Sequence, residues 1–244
     1  MEIGMKQAAV IIGAGDATGG AIARRFARGG LTAVCVRRTK EMVQPLVEEI
    51  RNAGREAEGF GCDARSEEEV IALFDKVEAD IGAVQAVVFN IGANVNYPIS
   101  EMTSRTYRKV WEMAAFAGFL TGREAARVML PRQAGTIIFT GATASLRGGA
   151  GFSAFAGAKF ALRALAQSMA RELGPQGIHV AHTVIDGAID TAFIRDNFPD
   201  RYALKEKDGI LDPEAIAENY WVLHNQPRSA WTHELDLRPW IEKF

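Results

Sequence analysis

The chain has 244 residues, 48% hydrophobic and 24% charged, with a formal net charge of -2. This is the composition of an ordinary globular domain, and the near-neutral charge gives no long-range attraction to nucleic acid or to an anionic membrane. The apolar runs are shorter than a membrane span, and the first seven residues lack a signal-peptide pattern. We therefore expect one domain over residues 1–244, in the cytoplasm, with no nucleic-acid or membrane partner.

The cysteines and histidines indicate neither a disulfide nor a metal site. Cys35 and Cys62 lie in predicted strands without C-x-x-C spacing, which favours buried free thiols. His179 and His182 are three residues apart on a predicted strand, so their side chains should point to opposite faces. We expect no bound metal.

Predicted strands and helices alternate along the chain. After a buried strand at 8–12, strands are predicted at 31–36, 57–62, 86–90, 135–140, 178–185 and 233–237, and helices at 21–28, 40–53, 66–80, 103–129 and 155–173, with a last one that ends at His224. Ser66 and Glu69 predict a capping box. This alternation indicates an α/β fold with a single doubly wound, Rossmann-type parallel sheet of about seven strands and helices on both faces. Residues 189–211, polar and irregular, are expected to form a mobile substrate lid.

A glycine-rich segment, 13–20, joins the first strand to the first helix. Backbone amides and a helix N-terminus in such a turn can face a pyrophosphate, and the missing side chains allow close approach. A tight turn without a ligand remains the alternative, because short glycine motifs are weakly specific.

The stretch 151–159, with the helical residues that follow it, resembles the active-site helix of the short-chain dehydrogenase/reductase family. The glycine-rich segment 13–20 resembles that family's cofactor loop. The resemblance spans almost the whole chain. In the family motif T-G-x-x-x-G-x-G, Gly13 and Gly19 match, Ile12 replaces the threonine and Ala17 replaces the middle glycine.

The resemblance implies further cofactor contacts. Asp63 matches the residue that holds the adenine amine, and Asn90 matches the asparagine of the N-A-G motif beneath the cofactor. Lys159 matches the lysine that binds the nicotinamide ribose, and Thr191 matches the threonine that contacts the carboxamide. Asp186 stands where the family usually has proline. The predicted cofactor-binding residues are Gly13, Gly15, Ala17, Gly19, Arg37, Arg38, Asp63, Ala64, Asn90, Gly92, Lys159, Ile189 and Thr191.

The end of the second predicted strand favours NADP over NAD. NAD-binding members place an acidic residue there for the ribose 2′-hydroxyl, whereas this chain has Arg37 and Arg38 and no carboxylate before Glu41. Two guanidinium groups suit a 2′-phosphate.

The catalytic positions depart from the family. Its Asn-Ser-Tyr-Lys tetrad would fall at Ala114, Ala142, Phe155 and Lys159, so that only the lysine is kept. A phenyl ring cannot transfer a proton, and a methyl group cannot polarise a carbonyl. The usual alcohol dehydrogenation through tyrosine is therefore not expected.

Other hydroxyls lie near the lost pair. Thr143, Ser145 and Ser153 flank it, although Ser153 is expected to point elsewhere on its helix. Tyr97 follows the fourth strand and Tyr202 lies in the expected lid, and either could bring a phenol to the cleft or simply pack its loop.

Three functions stay open: carbonyl chemistry with a displaced proton donor, reduction of an activated C=C bond, and non-catalytic NADP(H) binding as a sensor or scaffold. The family's enoyl-reductase variant has tyrosine seven residues before the lysine, and here that position is Phe152. An enzyme would act on a small-molecule substrate. The resemblance also implies a homodimer or homotetramer, and the alanine-rich face of the helix at Ala161 and Ala164 permits close helix packing.

Overall fold

The structure, a computed structural model, describes residues 6–243. Seven parallel strands form one sheet in the order β3-β2-β1-β4-β5-β6-β7. They are β1 (Gln7–Ile12), β2 (Thr32–Arg37), β3 (Ala57–Gly61), β4 (Ala83–Phe89), β5 (Gly135–Thr140), β6 (Ile178–Ile185) and β7 (Glu234–Leu237). The predicted Rossmann-type sheet is confirmed. The strand order reverses between β1 and β4, which opens a crevice at the carboxyl ends of these strands.

Helices cover both faces of the sheet. They are α1 (Thr18–Arg28), α2 (Gln44–Asn52), α3 (Glu67–Asp80), α4 (Ser104–Trp111), α5 (Ala117–Met129), α6 (Ser153–Leu173), α7 (Ala192–Asn197), α8 (Pro199–Tyr202) and α9 (Pro213–His224). Successive residues of β1 alternate between two buried clusters: Val10 and Ile12 pack under α3, α5 and α6, and Ala9 and Ile11 under α1, α2 and α9. This explains why the first strand reads as a continuous apolar run.

Basic residues near the start of the chain join α1 to α9. Arg24 and Arg28 both contact Glu214 at 3.0 Å. Arg25 pairs with Glu218, and its guanidinium carbon lies 4.5 Å from the centroid of the Trp221 ring. These arginines hold two helices together and are not an anion-binding surface.

The helix predicted at 103–129 is divided. A π-helical turn at Glu112–Phe116 separates α4 from α5. Ala114, in this turn, is fully buried. The apolar periodicity continues through the turn, so the sequence pattern gave no sign of it, and π turns of this kind are frequent near functional sites.

The capping box predicted at α3 forms only in part. The Ser66 hydroxyl accepts a hydrogen bond from the Glu69 amide at 3.3 Å. The Glu69 carboxylate accepts instead from the Asp63 amide at 2.8 Å, because the Ser66 amide is already bonded to the Asp63 carbonyl.

Residues 189–211 are more regular than their composition suggested. They contain α7, α8 and a 3-10 segment at Ala203–Lys207. A parallel bridge between Ile189 and Leu211 closes the base of the segment. Thr191 caps α7 through its hydroxyl, which accepts from the Ile194 amide at 3.1 Å.

Candidate active site

A cavity of about 1030 Å³ lies in the crevice at the carboxyl ends of the central strands. Its walls come from the β1–α1 turn, the loops after β4, β5 and β6, the start of α6, and α7 and α8. A smaller cavity of about 140 Å³ adjoins it, since both are lined by Gly13 and Ile91. The fold thus brings segments far apart in sequence to one site.

The β1–α1 turn is built for close backbone approach. Gly13 has a φ of 91°, and a Cβ there would lie 2.8 Å from the Asn90 carbonyl oxygen. The N-cap of α1, Ala17, offers no side-chain hydrogen bond. A Cβ on Gly15 would meet nothing within 4 Å. The amides at the start of α1 are therefore left without a side-chain partner, next to open space, which fits a pyrophosphate.

Lys159, on the second turn of α6, is a buried cation. Its Nζ donates to the backbone oxygens of Thr140 at 2.8 Å and Ile91 at 3.2 Å. The residue is 2% exposed, and burial lowers the pKa of its ammonium group to about 8. Among residues 6–243 no carboxylate forms an ion pair with it. The loop after β4 and the last residue of β5 thus hold the ammonium group through two backbone carbonyl dipoles.

The smaller cavity is lined by Arg37 and Arg38 on one side and by Asp63, Ala64 and Arg65 on the other. The Asp63 carboxylate is already engaged, because Arg65 donates to both of its oxygens at 2.9 and 2.5 Å and thereby lowers the pKa of that carboxyl group. A ligand that donates a hydrogen bond to Asp63 must therefore share the carboxylate with Arg65.

Asp16, in the β1–α1 turn, forms an ion pair with Arg37. One of its oxygens lies 3.6 Å from the Arg37 guanidinium, and the Asp16 side chain is almost fully exposed. An exposed pair at this distance contributes little and leaves the guanidinium available.

Every predicted cofactor-binding residue except Thr191 lines one of the two cavities. Thr191 lies beside them, with its hydroxyl used as a helix cap. At the tetrad positions, Ala142 and Phe155 line the larger cavity, whereas Ala114 is buried behind it in the same apolar cluster as Phe155. The Phe155 ring centroid is 5.9 Å from the Lys159 Nζ.

Most hydroxyls considered as replacements lie outside the cavity. Neither Tyr97 nor Tyr202 lines it. Ser145 is fully buried, with its oxygen accepting from the Ala142 amide at 3.1 Å, and Ser153 has a buried hydroxyl. Only Thr143 lines the cavity.

A buried carboxylate that the sequence reasoning did not select stands beside Thr143. The Thr143 hydroxyl donates to Oδ1 of Asp186, and Oδ2 of Asp186 lies 3.4 Å from the Arg238 guanidinium. The Asp186 side chain is 6% exposed and lines the same cavity. The sequence held one sign of this site: an aspartate that follows an apolar strand, at a position where the family usually has proline.

A second cluster of polar side chains, His182, Glu234 and Arg163, packs behind the loop that follows β5. His182 is fully buried, with its Nδ1 3.1 Å from Glu234, and burial lowers the pKa of the imidazole to about 4. Arg163 donates twice to Glu234 at 2.7 Å. The imidazole packs against Gly141, where a Cβ would overlap it. This group is structural, since it lines neither cavity.

The comparison with protein families agrees with this geometry. The family model for short chain dehydrogenases matches residues 7–201. The chain therefore belongs to the short-chain dehydrogenase family of oxidoreductases, and its fold is the Rossmann nucleotide-binding fold of that family.

Individual relatives give the same assignment. A short-chain dehydrogenase from Rhodopseudomonas palustris is 49% identical, with 96% of this chain and 99% of that chain covered and a TM-score of 0.83. A metagenomic short-chain oxidoreductase in complex with NADP is 26% identical, with 96% and 97% covered and a TM-score of 0.81. The 2-dehydro-3-deoxy-D-gluconate 5-dehydrogenase of Pseudoalteromonas atlantica is 28% identical over 184 residues, 75% of this chain and 72% of the relative.

Two further findings concern the described part of the chain. No helix within residues 6–243 is long and apolar enough to cross a membrane. In the same range, no group of three or more histidine, cysteine, aspartate or glutamate side chains is placed to hold a metal ion.

Proposed function

We propose that the protein is an NADP(H)-dependent oxidoreductase that acts on a carbonyl or an activated C=C compound without the family's tyrosine acid. The observation that carries this proposal is the cavity itself, which joins an uncapped helix N-terminus, a buried lysine and two arginines in one crevice. When bound, NADP(H) supplies or accepts a hydride.

The residues present fit this cofactor. The β1–α1 turn and the start of α1 would hold the pyrophosphate, and Lys159 would bind the nicotinamide ribose. Asn90 stiffens the floor, since its side-chain amide donates to the Gly13 carbonyl at 3.2 Å. Phe155 and Ala142 would leave the substrate against apolar surface.

The preference for NADP rests on charge. Arg37 and Arg38 both line the smaller cavity, and a 2′-phosphate there would replace the exposed Asp16 as the partner of Arg37. A relative solved with NADP adds support by analogy. A free 2′-hydroxyl would gain little from two guanidinium groups.

A second candidate is a non-catalytic NADP(H)-binding protein that acts as a sensor or scaffold. The observation in its favour is the loss of hydrogen-bonding groups at Ala114, Ala142 and Phe155 together. Such a protein would keep the cofactor contacts and lack turnover.

Nicotinamide fluorescence titration tests the cofactor assignment. NADPH should bind at least about tenfold more tightly than NADH, which corresponds to roughly 1.4 kcal/mol. Arg37→Ala and Arg38→Ala should each reduce that preference, whereas Arg55→Ala, an exposed arginine outside both cavities, should not. Equal affinities for NADPH and NADH would contradict the assignment.

Turnover separates the two candidate functions. NADPH consumption is measured with a panel of ketones, enones and enoyl thioesters, and NADPH formation from NADP⁺ with the matching alcohols. Turnover of any compound supports the enzyme. Firm NADPH binding with no turnover across the panel would favour the sensor or scaffold.

A further inference from the structure

We propose that Thr143 and Asp186 form a binding and proton-accepting site for the hydroxyl of an alcohol substrate. The proposal rests on the proposed function, because it places the substrate in the cavity next to the cofactor residues. It names the substrate class, an alcohol, and the group that replaces the missing tyrosine.

The site is built from a charged side chain that folding has removed from water. Asp186 directly follows β6 in the cavity wall, and its side chain is 6% exposed. Its two oxygens have different partners, with Oδ1 accepting from Thr143 and Oδ2 facing Arg238. Burying a carboxylate is costly unless each oxygen is matched in this way. The Arg238 guanidinium, 15% exposed, also pairs with Asp236 outside the cavity.

The direction of the Thr143 hydrogen bond decides what the cavity can bind. A threonine hydroxyl has one proton and two lone pairs, and here the proton is given to Asp186. Towards the cavity the Thr143 oxygen can therefore only accept. An alcohol O–H can donate to it, whereas a ketone oxygen has no proton to give.

The position suits acid–base work. Thr143 follows Ala142, the position of the family's serine, and begins the short 3-10 turn after β5. The Thr140 carbonyl, three residues earlier, accepts from Lys159. The end of β5 and the turn that follows it therefore carry the contact to the predicted ribose-binding lysine and the Thr143 hydroxyl, three residues apart.

Thr143 and Asp186 can together take up the proton that alcohol oxidation releases. The carbinol O–H bond breaks and its proton passes to the Thr143 oxygen, while the Thr143 proton passes to Oδ1 of Asp186. NADP⁺, when bound, would be the oxidant: it would take the hydride of the breaking carbinol C–H bond as the C=O bond forms. Asp186 afterwards releases the proton to water through the open cavity.

A binding experiment tests the site without cofactor or turnover. Cyclohexanol and cyclohexanone, matched in size, are titrated into cofactor-free protein and followed by ligand-observed NMR. The wild type should bind the alcohol about three- to tenfold more tightly than the ketone, the range expected of one hydrogen bond. Thr143→Val should bring the ratio to about one, and Thr143→Ser should keep it.

Asp186→Asn should remove the preference for the alcohol and bring the ratio to about one. Arg238 requires an acceptor, so the asparagine oxygen should face Arg238 and its NH₂ group should face Thr143. The Thr143 oxygen would then accept from the asparagine, and its proton would be free to bind the ketone. Asp236→Asn, which removes a carboxylate that pairs with Arg238 outside the cavity, is the matched control and should leave the ratio unchanged.

Turnover adds a second readout. Asp186→Asn should lower kcat for oxidation of any alcohol accepted in the panel by about a hundredfold or more, with the KM for NADP⁺ little changed. The proposal is overturned if the wild type prefers the ketone, if neither probe binds, or if Thr143→Val and Asp186→Asn both leave the ratio unchanged. An intact alcohol preference in a protein that does not bind NADPH would support this site and contradict only the proposed function.

Discussion

Lys159 is a cation held in the protein interior by two carbonyl oxygens. Burial lowers its pKa from 10.5 to about 8. Between these two values the unfolded chain keeps the proton and the folded chain releases it, so the free energy of unfolding rises with pH across that window.

We therefore expect the stability difference between wild type and Lys159→Met to move in favour of the wild type between about pH 8 and about pH 10.5. The change should reach up to about 3 kcal/mol, since each tenfold change in acidity is worth about 1.4 kcal/mol. Chemical denaturation of the cofactor-free proteins at several pH values measures it. Lys109→Met, at an exposed position, provides the control, and a flat difference would show that Lys159 titrates normally.

The same lysine should matter for the cofactor. If Lys159 binds the nicotinamide ribose, Lys159→Ala should weaken NADPH binding by at least about tenfold, with Lys109→Ala again unchanged. Fluorescence titration of both variants gives the answer. Unaltered affinity in Lys159→Ala would remove the lysine from the cofactor site.

Phe155 occupies the position of the family's proton donor. Phe155→Tyr together with Ala142→Ser would return two hydroxyls to the cavity near Lys159, whose positive charge would favour the phenolate. The double variant should gain NADPH-dependent reduction of a simple activated ketone, by about a hundred- to ten-thousandfold over the wild type.

Phe160→Tyr, on the exposed side of the same helix, should give no such gain. A wild type that already reduces the ketone at the rate of the double variant would mean that another donor acts. A double variant that binds NADPH and stays inert would favour the sensor or scaffold.

At the scale of single elements, the β1–α1 turn contains glycines with opposite requirements. A Cβ on Gly19 would overlap the Gly13 carbonyl oxygen, whereas a Cβ on Gly15 would point into open space within the cavity wall. Gly19 is required by the fold. Gly15 leaves room for a ligand.

Two alanine variants test this division. Gly19→Ala should lower the free energy of unfolding by about 3 kcal/mol or more, because the backbone must shift. Gly15→Ala should change it by no more than about 0.5 kcal/mol and should still weaken NADPH binding. Thermal unfolding and fluorescence titration are measured on the same samples. Normal NADPH affinity in Gly15→Ala would place the pyrophosphate elsewhere.

At the scale of the whole molecule, α4, α5 and α6 expose aromatic side chains on the outer surface. Trp111, Phe119 and Phe160 are each about 40% exposed, and Trp111, Phe116 and Phe119 form a stacked series. Exposed aromatic residues of this kind are typical of surfaces that bind another chain. The homodimer or homotetramer that the resemblance implies stays a prediction, and this surface is the place to test it.

If this aromatic surface joins two copies of the chain, Phe160→Glu should shift the protein to a smaller species, because a carboxylate would then be buried between them. Light scattering coupled to size-exclusion chromatography measures the mass. Phe193→Glu, at a more exposed phenylalanine on α7, should leave the mass unchanged. A wild type that is monomeric, or a Phe160→Glu variant of unaltered mass, would contradict the prediction.

The sequence alone determined which segments form strands and helices, their alternation along the chain, and the glycine turn after β1. These features are local, because strand burial, helix periodicity and glycine spacing each leave a pattern within about twenty residues. The strand predicted at 8–12 is β1 within one residue at its start, and the last predicted helix, which ends at His224, is α9. Most of the cofactor-binding positions predicted from the sequence line the two cavities.

Only the tertiary structure decided which of those side chains are available for chemistry. Thr143 and Asp186 are 43 residues apart and meet because β5 and β6 pair in register, so that the loops after them share one edge of the sheet. Tyr97 lies in the loop after β4 and Tyr202 is the last residue of α8, yet neither lines the cavity. Sequence spacing does not record contacts across a sheet, since they depend on the register of strands and on the loops that follow them.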